Sequence, residues 1–163
     1  MALADEAVAL VLAHEGGLHE DPGDPGGLTN WGFALNENPD LTPQALRAMT
    51  RSEAAARYRT LWWDRYPWGR LPPAIALKLF DLAVPDGPEN AIRALQRACR
   101  AAGRGLSADG VLGDETIAVA GALAEPVLIA ALKSELAGHF RMIVAAEPAK
   151  ARFLAGWLAR AYA

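Results

Sequence analysis

Three residues near the N-terminus have types and spacing that suit catalysis: Glu15, Asp24 and Thr29. Glu15 follows the apolar run Leu10-Val11-Leu12-Ala13 and precedes Gly16-Gly17. One carboxyl therefore stands at the end of a helix-prone stretch, with only small residues in front of it. Apolar surroundings favour the neutral, proton-bearing form of a carboxyl, which is what a general acid needs. Asp24 lies in Asp24-Pro25-Gly26-Gly27, where exposed backbone amides favour an ionised carboxylate. A proton-bearing carboxyl, an ionised one and a hydroxyl that orients water are the equipment for breaking a glycosidic bond. The first protonates the leaving oxygen, and the second acts as nucleophile or as base toward water. Asp21 competes with Asp24 for the second role. Each residue also has a plainer reading, a solvated helix end for Glu15 and an Asx turn for Asp24.

The elements that must position these groups are mostly helices. Leu3, Ala7, Leu10, Val11 and His14 recur at spacings of three and four, which predicts a helix over 3–14 stopped by Gly16-Gly17. Residues 18–41 are rich in proline and glycine and lack helical period. A long irregular stretch of this kind inside a domain is usually functional, and a short hairpin fits between Leu28 and Leu35. Thr42-Pro43 opens a short helix, and the capping box Thr50-Arg51-Ser52-Glu53 starts one over 51–65. Further helices are expected from Pro72 to Ala83, Pro88 to Ala102, Asp114 to Ala124 and Pro126 to Ala146, with a last one after Pro148. The expected fold class is all-α, mainly helical, with a small irregular or β-hairpin segment near residues 18–41.

Composition narrows the function classes. A chain of 163 residues is long enough to bury a core without staples. Its one cysteine, Cys99, lies on an apolar stripe with Leu95 and Ala102 and reads as a buried small hydrophobe. The net charge is −3 with signs interspersed and no basic block, which argues against nucleic acid as a partner. No run reaches the ~18 apolar residues of a membrane helix. Acids stand at the N-terminus where a signal peptide carries Lys or Arg, so a cytoplasmic site of folding is expected. His14, Glu15 and His19 nearly spell a zinc-protease motif, but the spacing is one residue too long and two glycines interrupt it. Neither a metal nor a cofactor is expected. Asp109-Gly110 suggests a tight turn rather than a calcium loop.

The run from Glu15 to Gly32 resembles the N-terminal signature of glycoside hydrolase family 108, the phage-type N-acetylmuramidases: Glu-Gly-Gly, then Asp-Pro-Gly-Gly, then Thr, then aromatic-Gly. The likeness continues through Leu46–Thr50, Tyr58–Asp64, Leu71-Pro72, Phe80–Val84, Leu95–Ala98, Asp109–Gly113 and Thr116. The second half looks like the peptidoglycan-binding lobe that accompanies this family. The resemblance implies cleavage of the β-1,4 bond between N-acetylmuramic acid and N-acetylglucosamine, with Glu15 as the catalytic acid, and the order Glu15, Asp24, Thr29 also looks like the active-site trio of other phage lysozymes. It also implies a role as a phage or phage-derived endolysin, or in release of particles or toxins. Such a chain would wait in the cytoplasm for a holin-like pore or another export route. Leu18, Trp31 and Pro85 depart from the pattern, Pro85 standing where an Asn is expected.

The expected organisation is a catalytic lobe over 1–85 and a helical peptidoglycan-binding lobe over 86–163, in one monomeric unit whose partner is the glycan strand. Candidate substrate contacts are Asn30, Trp31, Trp63 and Asp81. Among the clustered aromatics, Trp62 falls on the apolar stripe and is expected in the core, leaving Trp63 or Trp68 for a sugar groove. Asp81, inside an apolar helix, needs a partner and serves either as a tether to the first lobe or as part of the cleft. A lytic transglycosylase and a non-catalytic wall-binding protein are the rival readings.

Overall fold

The periodicity of the first segment produces α1 (Leu3–Glu15) in the computed structural model, which describes residues 2–20 and 27–163. The buried stripe of α1 is Ala4, Ala7, Val8, Val11 and Leu12, one position rotated from the expected stripe. The next residue in that phase is Glu15, which is half-buried, whereas His14 is exposed. Three short antiparallel strands follow in the order β1 (His19–Glu20), β2 (Leu28–Asn30) and β3 (Phe33–Ala34). His19 pairs with Thr29, and Asn30 pairs with Phe33. Then come α2 (Pro43–Ala48) and α3 (Arg51–Leu61), both capped as the sequence predicts, by Thr42 and by the Thr50/Glu53 capping box.

The helix expected over 51–65 is shorter. It leaves α-helical geometry at Trp62 (φ −126°), and a 3-10 turn covers Trp63–Arg65. This break changes the phase of the tryptophans. Trp63 and Trp68 are 8% and 1% exposed, while Trp62 is only half-buried. The expected assignment of core and groove tryptophans is thereby reversed.

Contacts divide the chain into two units, Met1–Tyr66 and Pro67–Ala163. In the first, α1 packs on α3 and α2 packs on β2. The second is built from α4 (Pro73–Asp86), α5 (Pro88–Ala101), α6 (Asp114–Ala122), α7 (Glu125–Ala146) and α8 (Leu154–Tyr162). Its core joins Ile75, Leu79, Phe80 and Leu82 to Ile92, Leu95, Leu128, Leu132 and Leu136, with Cys99 fully buried among them. Burial pushes the Cys99 thiol pKa up, which removes it from nucleophilic chemistry. The loop between α5 and α6 is organised by buried Gln96. Its side chain accepts from the Gly110 N–H and donates to Asp109, Val111 and Thr116, forming the tight turn expected at Asp109-Gly110. The architecture is mainly helical with one small hairpin sheet. Among the described residues no single helix is long and apolar enough to cross a membrane, and the apolar pair α6–α7 is bent by 118°.

One buried ion pair organises the second unit. Asp81 and Arg160 have side chains 3% and 15% exposed, and both carboxylate oxygens accept from the guanidinium at 2.8 and 3.0 Å. The helix α4 continues past Ala83 through Pro85, which has no N–H to give to the carbonyl four residues back. That carbonyl belongs to Asp81, and Arg160 Nη2 donates to it at 2.9 Å. Lys78 Nζ in turn donates to the Arg160 carbonyl. Burial lowers the Lys78 pKa from 10.5 to about 8, with nearby Asp81 opposing the shift.

Replacing Arg160 by Met removes the bidentate partner of a buried carboxylate and is expected to cost about 3–5 kcal/mol in urea unfolding. Lys78 yields a prediction with a definite sign. Between pH 8 and 10.5 the unfolded chain holds the proton that folded Lys78 has lost, so stability rises with pH across that window. Below pH 8 the cost of burying the ammonium is fully present. The melting temperature of wild type relative to Lys78→Met is therefore expected to rise between pH 8 and 10.5, and a flat difference would contradict this.

Candidate active site

Glu15 is the last residue of α1, and Gly16 (φ +73°) turns the chain away immediately after it. Side chains built at Gly16 or Gly17 would meet nothing within 4 Å. Behind Glu15 lies the β2–β3 hairpin. Its two-residue turn is Trp31-Gly32, with φ +52° and +82°, the geometry that matches the twist of the flanking strands and normally selects Asn-Gly. A tryptophan in the left-handed region costs on the order of 1–3 kcal/mol. Two hydrogen bonds offset that cost. The Trp31 indole N–H donates to the Met49 carbonyl at 3.0 Å, and the Tyr58 hydroxyl donates to the Trp31 carbonyl at 2.9 Å.

Gly32 closes the constellation. A Cβ placed there would lie 2.3 Å from the Tyr58 hydroxyl and 2.9 Å from Glu15 Cγ. The acid's side chain thus lies directly against the backbone of the turn, and the Tyr58 hydroxyl shares that contact. Tyr58 is itself fixed by Phe33, with ring centroids 4.6 Å apart, and Arg57 covers the Phe33 ring at 5.3 Å. Arg57 also donates to both oxygens of Asp40, whose carboxyl it holds below its ordinary pKa. A second tie runs from β1 to α2, where Arg47 grips Glu20 and lowers its carboxyl pKa.

The remaining predicted residues distribute as follows. Thr29 lies on β2, half-buried, with its hydroxyl donating to the His19 carbonyl at 3.5 Å. Asp24 and its competitor Asp21 lie outside the described residues. Asn30 is buried, and its amide donates to the Leu46 and Met49 carbonyls at 2.9 and 3.3 Å. Those bonds tie the hairpin to the C-terminus of α2, so the amide is spent on the fold rather than offered to a ligand. Trp31 has its indole N–H spent in the same way and keeps a half-buried ring. Trp63 is buried, which corrects the expectation that it lines a groove. Asp81 is likewise corrected, because both its oxygens are taken by Arg160 of its own unit. His14 and His19 fall on different elements, a helix and a strand, so the near-motif does not form one helical face.

Two contributors escaped the sequence reading, Tyr58 and Gly32. The Trp-Gly dipeptide between two β-prone runs was the available sign of the tight turn.

Residues 8–87 match the family model of glycosyl hydrolase 108, and residues 90–162 match that of a predicted peptidoglycan domain. The fold is similar to that of Brucella abortus SagA, with a TM-score of 0.78 and 26% identity over 97% of this chain and 88% of that one. No curated protein matches the chain. Through residues 8–87 the chain belongs to the glycosyl hydrolase 108 family, joined to a peptidoglycan-binding domain. It is a glycoside hydrolase that acts on peptidoglycan.

The close packing at Gly32 makes a simple test. Gly32→Ala is expected to lose at least about 2 kcal/mol of stability, from left-handed strain and from the displaced Tyr58 hydroxyl and Glu15 arm. Gly17→Ala, which meets open space, should unfold at the same urea concentration as wild type. Equal midpoints for the two variants would refute the packing argument.

Proposed function

We propose that the chain is an N-acetylmuramidase, cleaving the β-1,4 bond between N-acetylmuramic acid and N-acetylglucosamine. The observation that carries this reading is the setting of Glu15. A half-buried glutamate ends an apolar helix and packs its side chain against the backbone of the Trp31-Gly32 turn, within the residues matched to glycosyl hydrolase 108.

In the reaction, Glu15 gives its proton to the glycosidic oxygen as the C1–O bond breaks, and the bonding pair leaves with the departing sugar. Positive charge spreads over C1 and the ring oxygen. Asp24, ionised, either stabilises that charge, the water that adds to C1 then giving its proton back to Glu15, or itself takes the proton from that water, and Thr29 orients the water. Carboxyl separation distinguishes the two stereochemical outcomes, ~5–5.5 Å for retention and ~6.5–9.5 Å for inversion. Tyr58 and the Trp31-Gly32 turn act through Glu15 as positioning groups. No cofactor or metal takes part.

The catalytic lobe is assigned to residues 1–85 and wall binding to 86–163. The same reading makes the chain a monomeric phage or phage-derived endolysin, or a factor in particle or toxin release. It is held in the cytoplasm until a holin-like pore or another export route admits it to the wall.

Glu15→Gln is expected to slow clearing of cell-wall suspensions by about 10²–10⁴-fold with an unchanged circular dichroism spectrum. Undiminished clearing would remove Glu15 from the mechanism. Asp24→Asn should cost less. Mass spectrometry of wild-type digests should find reducing-end muramic acid; anhydromuramoyl ends would identify a lytic transglycosylase instead.

A further inference from the structure

The peptidoglycan-binding domain carries a cavity that the hydrolytic reading does not use. It lies between α5 and α7, has a volume of about 340 Å³, and is lined by Arg97, Ser134, Glu135, Gly138, His139 and Met142. Five of these six fall on one face of α7, at offsets of one, four, five and eight from Ser134. Gly138 sits in the middle, and a side chain built there would meet nothing within 4 Å. The glycine therefore leaves open a trough between charged walls.

The walls have opposite signs and spare valence. Arg97 Nε donates to Glu135 Oε2 at 2.9 Å, with the two side chains 32% and 30% exposed. Among the described residues this is the only hydrogen bond of either side chain, so the Arg97 terminal nitrogens and Glu135 Oε1 remain available. A partly solvated pair of this kind is weak, so a ligand that offers both charges can open it at little cost. His139 is braced by Asp86 at 2.9 Å, and Met142, 71% exposed, supplies an adaptable apolar flank.

A neutral sugar does not call for a guanidinium and a carboxylate side by side, and no Trp, Tyr or Phe lines the trough for stacking on a ring. A short peptide bearing free carboxylates, an ammonium and small methyl side chains does match it. We propose that this groove is a subsite for the peptide stem of peptidoglycan. Arg97 forks a stem carboxylate, Glu135 takes the ammonium and Met142 contacts the methyl groups. The proposal rests on peptidoglycan being the substrate and is independent of which bond Glu15 cleaves.

The test is an NMR titration of the full chain with the soluble tripeptide alanyl-γ-glutamyl-diaminopimelate, followed on backbone amides. Shifts should concentrate at Arg97, Ser134, Glu135 and His139. Gly138→Leu fills the trough with a better helix former, so it keeps the fold while weakening tripeptide binding at least about 10-fold. Arg97→Met should weaken binding similarly. Both variants should raise KM for intact peptidoglycan and leave hydrolysis of stem-free glycan strands unchanged. Absent shifts, or Gly138→Leu and Arg97→Met binding the tripeptide as wild type does, would overturn the subsite and leave the hydrolase reading standing. Failure of the Glu15→Gln test would do the reverse.

Discussion

The backbone of Gly32 runs so close to the Glu15 side chain and the Tyr58 hydroxyl that no Cβ fits between them. The rest of the first unit is organised around that contact. The α1 stripe turns Glu15 inward, and Phe33 and Arg57 hold Tyr58. Asn30 and Trp31 tie the hairpin to the end of α2 through the Leu46 and Met49 carbonyls. Each interaction is modest alone. Together they hold a tryptophan in a left-handed conformation that it would not adopt unaided, a usual sign that backbone strain is kept for a purpose.

The second unit meets a different problem, that of charged groups inside an apolar bundle. Removing ions from water is expensive, and the attraction between them repays that only when the geometry is good and every donor and acceptor is used. Arg160 satisfies three acceptor positions on one residue, the two oxygens of the Asp81 carboxylate and the Asp81 carbonyl that Pro85 leaves without its helical donor. Pro85 is thereby accommodated in the last turn of α4, and the Asp81–Arg160 pair anchors α8 to it.

Much of this was legible in the chain itself. Capping residues and prolines marked the helices, and the absence of helical period marked the hairpin region. The Glu-Gly-Gly run singled out Glu15. What was not legible came from phase. A helix that ends at Leu61 instead of residue 65 exchanges the places of Trp62 and Trp63, and a stripe rotated by one residue moves His14 out and Glu15 in. Periodicity fixes such phases only to within a residue, because neighbouring positions on a helix differ by about 100°.

By itself, therefore, the sequence determined the mainly helical class and the small hairpin, since these depend on local propensity and on short ordered motifs. Only the tertiary structure decided which side chains serve the fold and which remain for a ligand. Asn30 and Asp81 are polar residues whose hydrogen-bonding capacity is claimed by partners 16 or more positions away. Tyr58 reaches the turn beside Glu15 from 27 positions along the chain. Hydrogen bonds are short and directional, and no local pattern reveals which distant carbonyl will stand within reach once the chain has folded.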